Sequence, residues 1–231
     1  MAAVLAVLVF APAASAGQTP APEDEPAQIA SDERGTTFWS TVNDATPVRA
    51  APRRSARRTG SIRAETYYRK SEVVIVLEES GDWSRVRYSG LGDRTGWVPS
   101  TVLDEPRLTR SWVTIDLDRH EIVAHRGDRT VLRAPVGVGM RGNATPSGSF
   151  FVRERLVPSS KRGPYGVLAF GLSAYSRHHT GWRGGGQVGI HGTNQPGLIP
   201  GRISHGCVRM RNKDVLKLDR VVRPGTPVAI G

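Results

Sequence analysis

The chain is 231 residues long, 38% hydrophobic and strongly basic, with a formal net charge of +11 and a single cysteine. One cysteine excludes an intrachain disulfide, so buried apolar area alone must hold the fold, and this length allows two small cores. Beyond the N-terminal segment, no stretch reaches the ~20 consecutive apolar residues that a membrane helix needs.

Residues 1–16 are a short apolar run that ends in Ala14-Ser15-Ala16, the small-x-small pattern of signal-peptidase cleavage. They read as a signal peptide without the usual basic start, and they imply export. Residues 17–45 read as an acidic, proline-containing linker. Pro20, Pro22 and Pro26 lie among Glu23, Asp24, Glu25, Asp32 and Glu33, and no apolar period is visible. Phe38 and Trp39, near its end, are candidates to dock on the domain that follows.

Residues 46–104 read as short strands separated by turns. Val73-Val74-Ile75-Val76-Leu77 is a β-branched run. A turn at Glu79-Ser80-Gly81-Asp82 leads into the alternating Trp83-Ser84-Arg85-Val86-Arg87-Tyr88, and after Gly90-Leu91-Gly92-Asp93 comes Thr95-Gly96-Trp97-Val98-Pro99. About sixty residues of this kind suggest a small β-barrel. Val48-Arg49, Gly81-Asp82-Trp83-Ser84-Arg85-Val86 and Thr95-Gly96-Trp97-Val98 resemble bacterial SH3-like domains, which implies a module that holds an enzyme on the cell wall. Trp83 and Trp97 are expected mainly to pack the barrel.

After a link at 105–107, the chain opens a second β-rich unit spanning 108–231. Trp112–Leu117 and Glu121–His125 form a hairpin around Asp118-Arg119. A third apolar strand is expected from Val131 to Val138, and Phe150–Leu156 continues as strand. Residues 158–186 are rich in glycine and proline, and long loops of this kind on a β scaffold usually carry function. One late helix begins near Asn212, a candidate N-cap, with Val215, Leu216, Leu218, Val221 and Val222 approximating one apolar face. Pro224-Gly225 ends it, and Thr226–Ile230 closes the unit as a strand.

Chemistry concentrates in Gly189-Ile190-His191-Gly192-Thr193-Asn194 and Ser204-His205-Gly206-Cys207-Val208-Arg209. The lone cysteine lies close to two histidines, each followed by glycine. A thiolate is the reactive form of cysteine, and a neighbouring imidazole generates it by taking the proton. Gly192 and Gly206 let backbone approach a ligand closely. A buried core cysteine would not need the polar neighbours Ser204, His205 and Arg209. A zinc site built from His191, His205 and Cys207 lacks a fourth ligand at a known spacing, so no metal and no cofactor are expected. An unpaired thiol outside the cytoplasm is exposed to oxidation, and a site that needs it explains its presence.

His191-Gly-Thr-Asn-x-Pro followed by Ser204-His205-Gly206-Cys207-Val208-Arg209-Met210 resembles the signature of YkuD-type L,D-transpeptidases. Gly137-Val138-Gly139 and Thr145-Pro146-Ser147-Gly148-Ser149-Phe150 extend the resemblance upstream. The expected architecture is therefore mostly β: a small SH3-like β-barrel, then a β-rich L,D-transpeptidase (YkuD-like) domain with one late helix.

The resemblance implies peptidoglycan cross-linking, with Cys207 as nucleophile and His191 as its base, oriented by the carbonyl of Gly192. The N–H groups of His205, Gly206 and Cys207 are candidate oxyanion donors, and the His205 side chain a positioning or electrostatic group. Arg209, Ser204 and Thr193 are candidate substrate contacts. His178 and His179 are expected to be bystanders. Peptidoglycan stem peptides are the implied partners, and a carbapenem is expected to acylate Cys207.

Further readings use the same residues. A thiol peptidase of the NlpC type also pairs SH3-like domains with Cys and His, but its cysteine comes first, whereas here His191 precedes Cys207. Hydrolysis in place of aminolysis would give an L,D-carboxypeptidase, attachment of a protein to the wall is a neighbouring reaction, and a non-catalytic wall-binding protein would keep the scaffold alone. Only four of the 32 basic residues are lysine. Arginine suits bidentate binding of carboxylate or phosphate, so stem carboxylates and anionic wall polymers are better partners for an exported chain than nucleic acid.

Overall fold

A computed structural model describes residues 30–176, 178, 180 and 184–231. The signal-peptide reading of 1–16 and the part of the linker reading that covers 17–29 lie outside the described residues. Two sheets make up the fold of the described residues.

The first contains β1 (Thr37–Thr41), β2 (Thr46–Arg49), β3 (Arg58–Ile62), β4 (Val73–Ser80), β5 (Trp83–Arg87), β6 (Thr95–Pro99) and β7 (Arg107–Thr109). Its order is β3-β2-β6-β5-β4-β1-β7. The three β-branched or alternating runs expected as strands are β4, β5 and β6. Their inward positions Val74, Val86 and Val98 join Val42, Val48, Ile62 and Tyr88 in one cluster. Trp83 and Trp97 are half-buried and stand outside that cluster, so valines and Tyr88 fill the centre instead.

The linker reading is corrected from residue 30 onward. β1 pairs with β4, setting Trp39 opposite Ile75, and with β7, setting Phe38 opposite Leu108. Glu33 holds the buried Arg87 through two bonds of 2.7 and 2.8 Å. No apolar period marks this segment because its inward side chains, Thr37 and Ser40, are small and polar.

The second sheet contains β8 (Ser111–Asp116), β9 (Glu121–Arg126), β10 (Arg129–Pro135), β11 (Gly137–Gly139), β12 (Gly148–Leu156), β13 (Ala169–Tyr175), β14 (Gln187–His191), β15 (Gly201–Ser204), β16 (Val208–Arg209) and β17 (Pro227–Ile230). Its order is β10-β9-β8-β17-β12-β13-β14-β16-β11-β15. The expected hairpin is β8–β9, paired in register from Ser111–Arg126 to Asp116–Glu121. The single strand expected at 131–138 is two. β10 lies at the sheet edge with Val131 exposed, and β11 crosses to pair with β15 and β16 near the other edge. The pairing that matters for chemistry is β14 alongside β16 in parallel, with His191 opposite Arg209. It brings His191 beside the segment that carries Cys207.

One helix, α1 (Asn212–Leu218), lies among the described residues, and it buries Val215 and Leu218 against the second sheet's core. The N-cap expectation fails. Arg211 occupies the cap position without a side-chain bond, and the Asn212 amide is directed at the loops around His191. No helix among the described residues is long and apolar enough to cross a membrane.

The sheets share a tight joint. Val73 and Ile75 of β4 pack on Phe151 of β12, with Trp39 and Leu77 alongside. Gly225 has φ +86°, and a Cβ there would lie 2.2 Å from the Trp39 ring, so β1 is admitted only because that residue is glycine. At the centre, Glu72 and Arg153 form a buried, two-pronged ion pair, and Arg153 also donates to the Tyr175 hydroxyl at 2.8 Å. Burial alone would push the Arg153 pKa down, but the Glu72 carboxylate more than offsets it and holds the guanidinium charged.

Candidate active site

His191, the last residue of β14, is 4% exposed. Its Nδ1–H donates to the carbonyl of Gly192 at 2.6 Å. That bond fixes the tautomer and leaves Nε2 with a lone pair in the cavity that Cys207 also lines. Burial drives the imidazole pKa down from 6.5 to about 4; the Gly192 carbonyl opposes this, and the Arg209 charge adds to it. His191 is therefore a neutral base at pH 7.

Cys207 is a free, half-buried thiol between β15 and β16. Burial raises its pKa, while a hydrogen bond from the Gly189 N–H and the Arg209 charge pull it down. Both members of the pair thus rest uncharged, and the thiol must give up its proton during attack rather than before it.

The 204–207 turn is closed by one hydroxyl. Ser204 donates to the Cys207 carbonyl and accepts the Gly206 N–H at 3.1 Å. Ser204 is 1% exposed and positions the nucleophile. Its use of the Gly206 N–H corrects the expected oxyanion set, because that donor is already engaged; the N–H groups of His205 and Cys207 remain candidates. Gly206 has φ +117°, a conformation open to glycine at little cost.

The Gly192 carbonyl is itself held. Asn212 Oδ1 accepts the N–H of Thr193 at 3.0 Å and of Val167 at 3.4 Å, joining the turn after His191 to the turn that precedes β13. A Cβ on Gly192 or on Gly166 would lie 2.2 Å from that same oxygen. Thr193 is 1% exposed, and its hydroxyl accepts the Gln195 N–H at 3.1 Å. It shapes this turn, which corrects its reading as a substrate contact.

Two cavities meet at Cys207 and His191. The larger, about 550 Å³, is walled by Tyr165, Val157 and Pro158 from the second unit and by Tyr67 and Tyr68 from the first. Tyr165 meets the His191 ring edge-on at 4.9 Å. The smaller, about 210 Å³, holds His205, Arg209, Ser204, Gly206 and Ser176. Arg209 is half-buried, and among the described residues its Nε has no hydrogen-bond partner. His178 lines neither cavity, and its N–H donates to Ser176 at 3.2 Å. His179 lies outside the described residues.

The structure thus brings Cys207, His191, His205, Gly192, Gly206, Ser204 and Arg209 together. Sequence reasoning missed Tyr67, Tyr68, Tyr165 and Asn212 as parts of the site. Only Asn212 carried a usable signal, since it closely follows the cysteine motif.

A neutral buried imidazole with a fixed tautomer, next to a thiol at the meeting of two cavities, defines a cysteine-dependent acyl-transfer centre. Residues 110–230 match the L,D-transpeptidase catalytic domain of the YkuD family, and the chain belongs to that family. It is 36% identical over 118 residues to the L,D-transpeptidase YkuD of Bacillus licheniformis, covering 51% of this chain and 64% of that protein. It is 32% identical over 128 residues to the Bacillus subtilis protein of the same name, covering 55% and 70%. Among solved structures it is similar to an L,D-transpeptidase of Xylanimonas cellulosilytica, at 26% identity and TM-score 0.39, over 53% of this chain and 61% of that one.

Proposed function

We propose that the chain is an exported peptidoglycan L,D-transpeptidase that forms 3→3 cross-links. Cys207 Sγ attacks the carbonyl of the L,D-peptide bond after the third residue of a tetrapeptide stem, and its proton passes to His191 Nε2. The N–H groups of His205 and Cys207 stabilise the oxyanion. The tetrahedral intermediate collapses, the C–N bond breaks, and His191 returns the proton to the departing D-alanine amine. An amine from the third residue of a neighbouring stem then attacks the thioester. His191 takes its proton and gives it back to sulfur as the new amide forms.

The observation that carries this reading is the His191 Nδ1–H bond to Gly192, which leaves Nε2 as base in the cavity lined by the only thiol. Arg209, which lines the smaller cavity beside Cys207, binds the terminal carboxylate of the donor stem. The first sheet is a bacterial SH3-like module, residues 1–16 direct export, and the arginine-rich surface associates with anionic wall polymers at the cell wall.

The test is intact-mass and product analysis of the chain incubated with a disaccharide-tetrapeptide. A dimer one D-alanine lighter than two monomers supports the proposal. Tripeptide without dimer makes the enzyme an L,D-carboxypeptidase, and no product overturns the assignment.

A further inference from the structure

The β3–β4 loop of the first sheet reaches into the catalytic cleft. Tyr67 and Tyr68 lie on it, with their rings edge-to-face at 5.2 Å, and both line the 550 Å³ cavity that contains Cys207 and His191. Tyr67 is 52% exposed. Among the described residues eight large apolar side chains are exposed, and three of them, Tyr67, Val157 and Tyr165, line this one cavity. Exposed apolar groups scattered singly need no explanation, but a cluster at the mouth of a cleft marks a binding surface.

The loop is built into place. The Thr66 hydroxyl donates to Glu154 Oε2 at 2.8 Å and accepts the Tyr68 N–H at 3.2 Å. Glu154 belongs to β12, and its other oxygen accepts from Gln187, which lines the same cavity, at 2.9 Å. The buried Glu72–Arg153 pair anchors the point where the loop enters β4. The two tyrosines are thus fixed relative to Cys207 by two polar ties between the sheets, Thr66–Glu154 and Glu72–Arg153.

The two cavities differ in chemistry. Among the described residues no Asp, Glu, Lys or Arg lines the one with the tyrosines, whereas Arg209 and His205 line the other. We infer that Tyr67 and Tyr68 are substrate-recognition residues. They hold the alkyl parts of the peptide stem against the uncharged wall, while its carboxylate lies toward Arg209. The first unit is then half of the substrate cleft, whatever else it binds. This inference rests on the transpeptidase reading for the identity of the stem.

The test uses the full chain with Cys207→Ala and titrates free tetrapeptide and disaccharide-tetrapeptide separately by calorimetry. Tyr67→Ala with Tyr68→Ala weakens both ligands by about tenfold or more, from loss of two aromatic contacts. Tyr67→Phe with Tyr68→Phe retains binding, because the rings and not the hydroxyls are used. Should the double alanine variant melt early, the exposed Tyr67→Ala alone gives the same reading with a smaller loss. Unchanged affinity for the tetrapeptide overturns the inference, as does a loss confined to the disaccharide-tetrapeptide, which would assign the wall to sugar. Absence of turnover by the unmodified chain, with tyrosine-dependent binding intact, would sink the transpeptidase reading and leave this one standing.

Discussion

Asn212 Oδ1 stands 2.2 Å from where a Cβ on Gly192 would be, and it accepts the N–H of Thr193, the next residue in the chain. The amide therefore fixes the turn whose carbonyl receives the His191 Nδ1–H. Asn212→Ala leaves the N–H groups of Thr193 and Val167 without their acceptor, at a cost of about 1–3 kcal/mol. The turn then relaxes, and the base loses its tautomer lock. The expected result is a lower melting midpoint together with a fall in kcat larger than any change in KM. Asn212→Asp keeps the acceptor and should recover most of both. Equal activity in the alanine variant would remove Asn212 from the positioning of His191.

Cys207→Ala should abolish turnover and every covalent adduct with a carbapenem. It removes a half-buried sulfur without disturbing the Ser204 hydroxyl bonds, which involve backbone at 206 and 207. Intact mass after carbapenem treatment, with circular dichroism as the control for folding, checks this. An adduct on the alanine variant would relocate the nucleophile.

The pKa directions at the site give a pH dependence with a definite sign. His191 is held at about 4 and burial pushes the Cys207 thiol up, so an imidazolium–thiolate pair is not the resting state near pH 7. Alkylation of Cys207 by iodoacetamide should stay slow at pH 7 and still be rising above pH 9. A plateau beginning near pH 5 would mean a resting ion pair and defeat the neutral-base account. The same shift bears on stability. Between about 4 and 6.5 the unfolded chain binds a proton at His191 that the folded chain refuses. Stability from this group is complete above 6.5 and is lost as pH falls toward 4.

How much of this was legible in the sequence depended on the range of the contacts. Cys207 and His191 stood out because acyl transfer needs a thiol and a base, and glycines beside them mark close backbone approach. Strands β4, β5 and β6 were legible because their β-branched or alternating residues fit a half-buried pleat. β1 was hidden because its inward side chains are threonine and serine, which carry no hydrophobic period. Glu72–Arg153 and Thr66–Glu154 span 81 and 88 positions, so nothing local marked them. For the same reason the first unit read as a tether to the wall, and its place in the cleft emerged only from the packing of the two sheets.

The buried pair makes that joint testable. Arg153→Ala leaves the Glu72 carboxylate unpaired in a buried setting and should cost about 3–5 kcal/mol. The exposed Arg133–Glu121 pair is the comparison, and Arg133→Ala should cost about 1 kcal/mol or less. Urea denaturation of both variants gives the two numbers. Similar small losses would mean that the ion pair does not hold the sheets together.

Arg209 offers a test of substrate orientation. Its guanidinium lies in the smaller cavity beside Cys207, opposite His191 across the β14–β16 pairing. If it receives the terminal carboxylate of the donor, a tetrapeptide should react well and its C-terminal amide poorly, because the amide gives up a charge-assisted contact. Arg209→Gln should raise KM for the acid and erase the discrimination between acid and amide. It should also raise the alkylation midpoint of Cys207, since the Arg209 charge favours the thiolate. Discrimination that persists in the variant would move the carboxylate elsewhere, with His205, which lines the same cavity, as the next residue to replace.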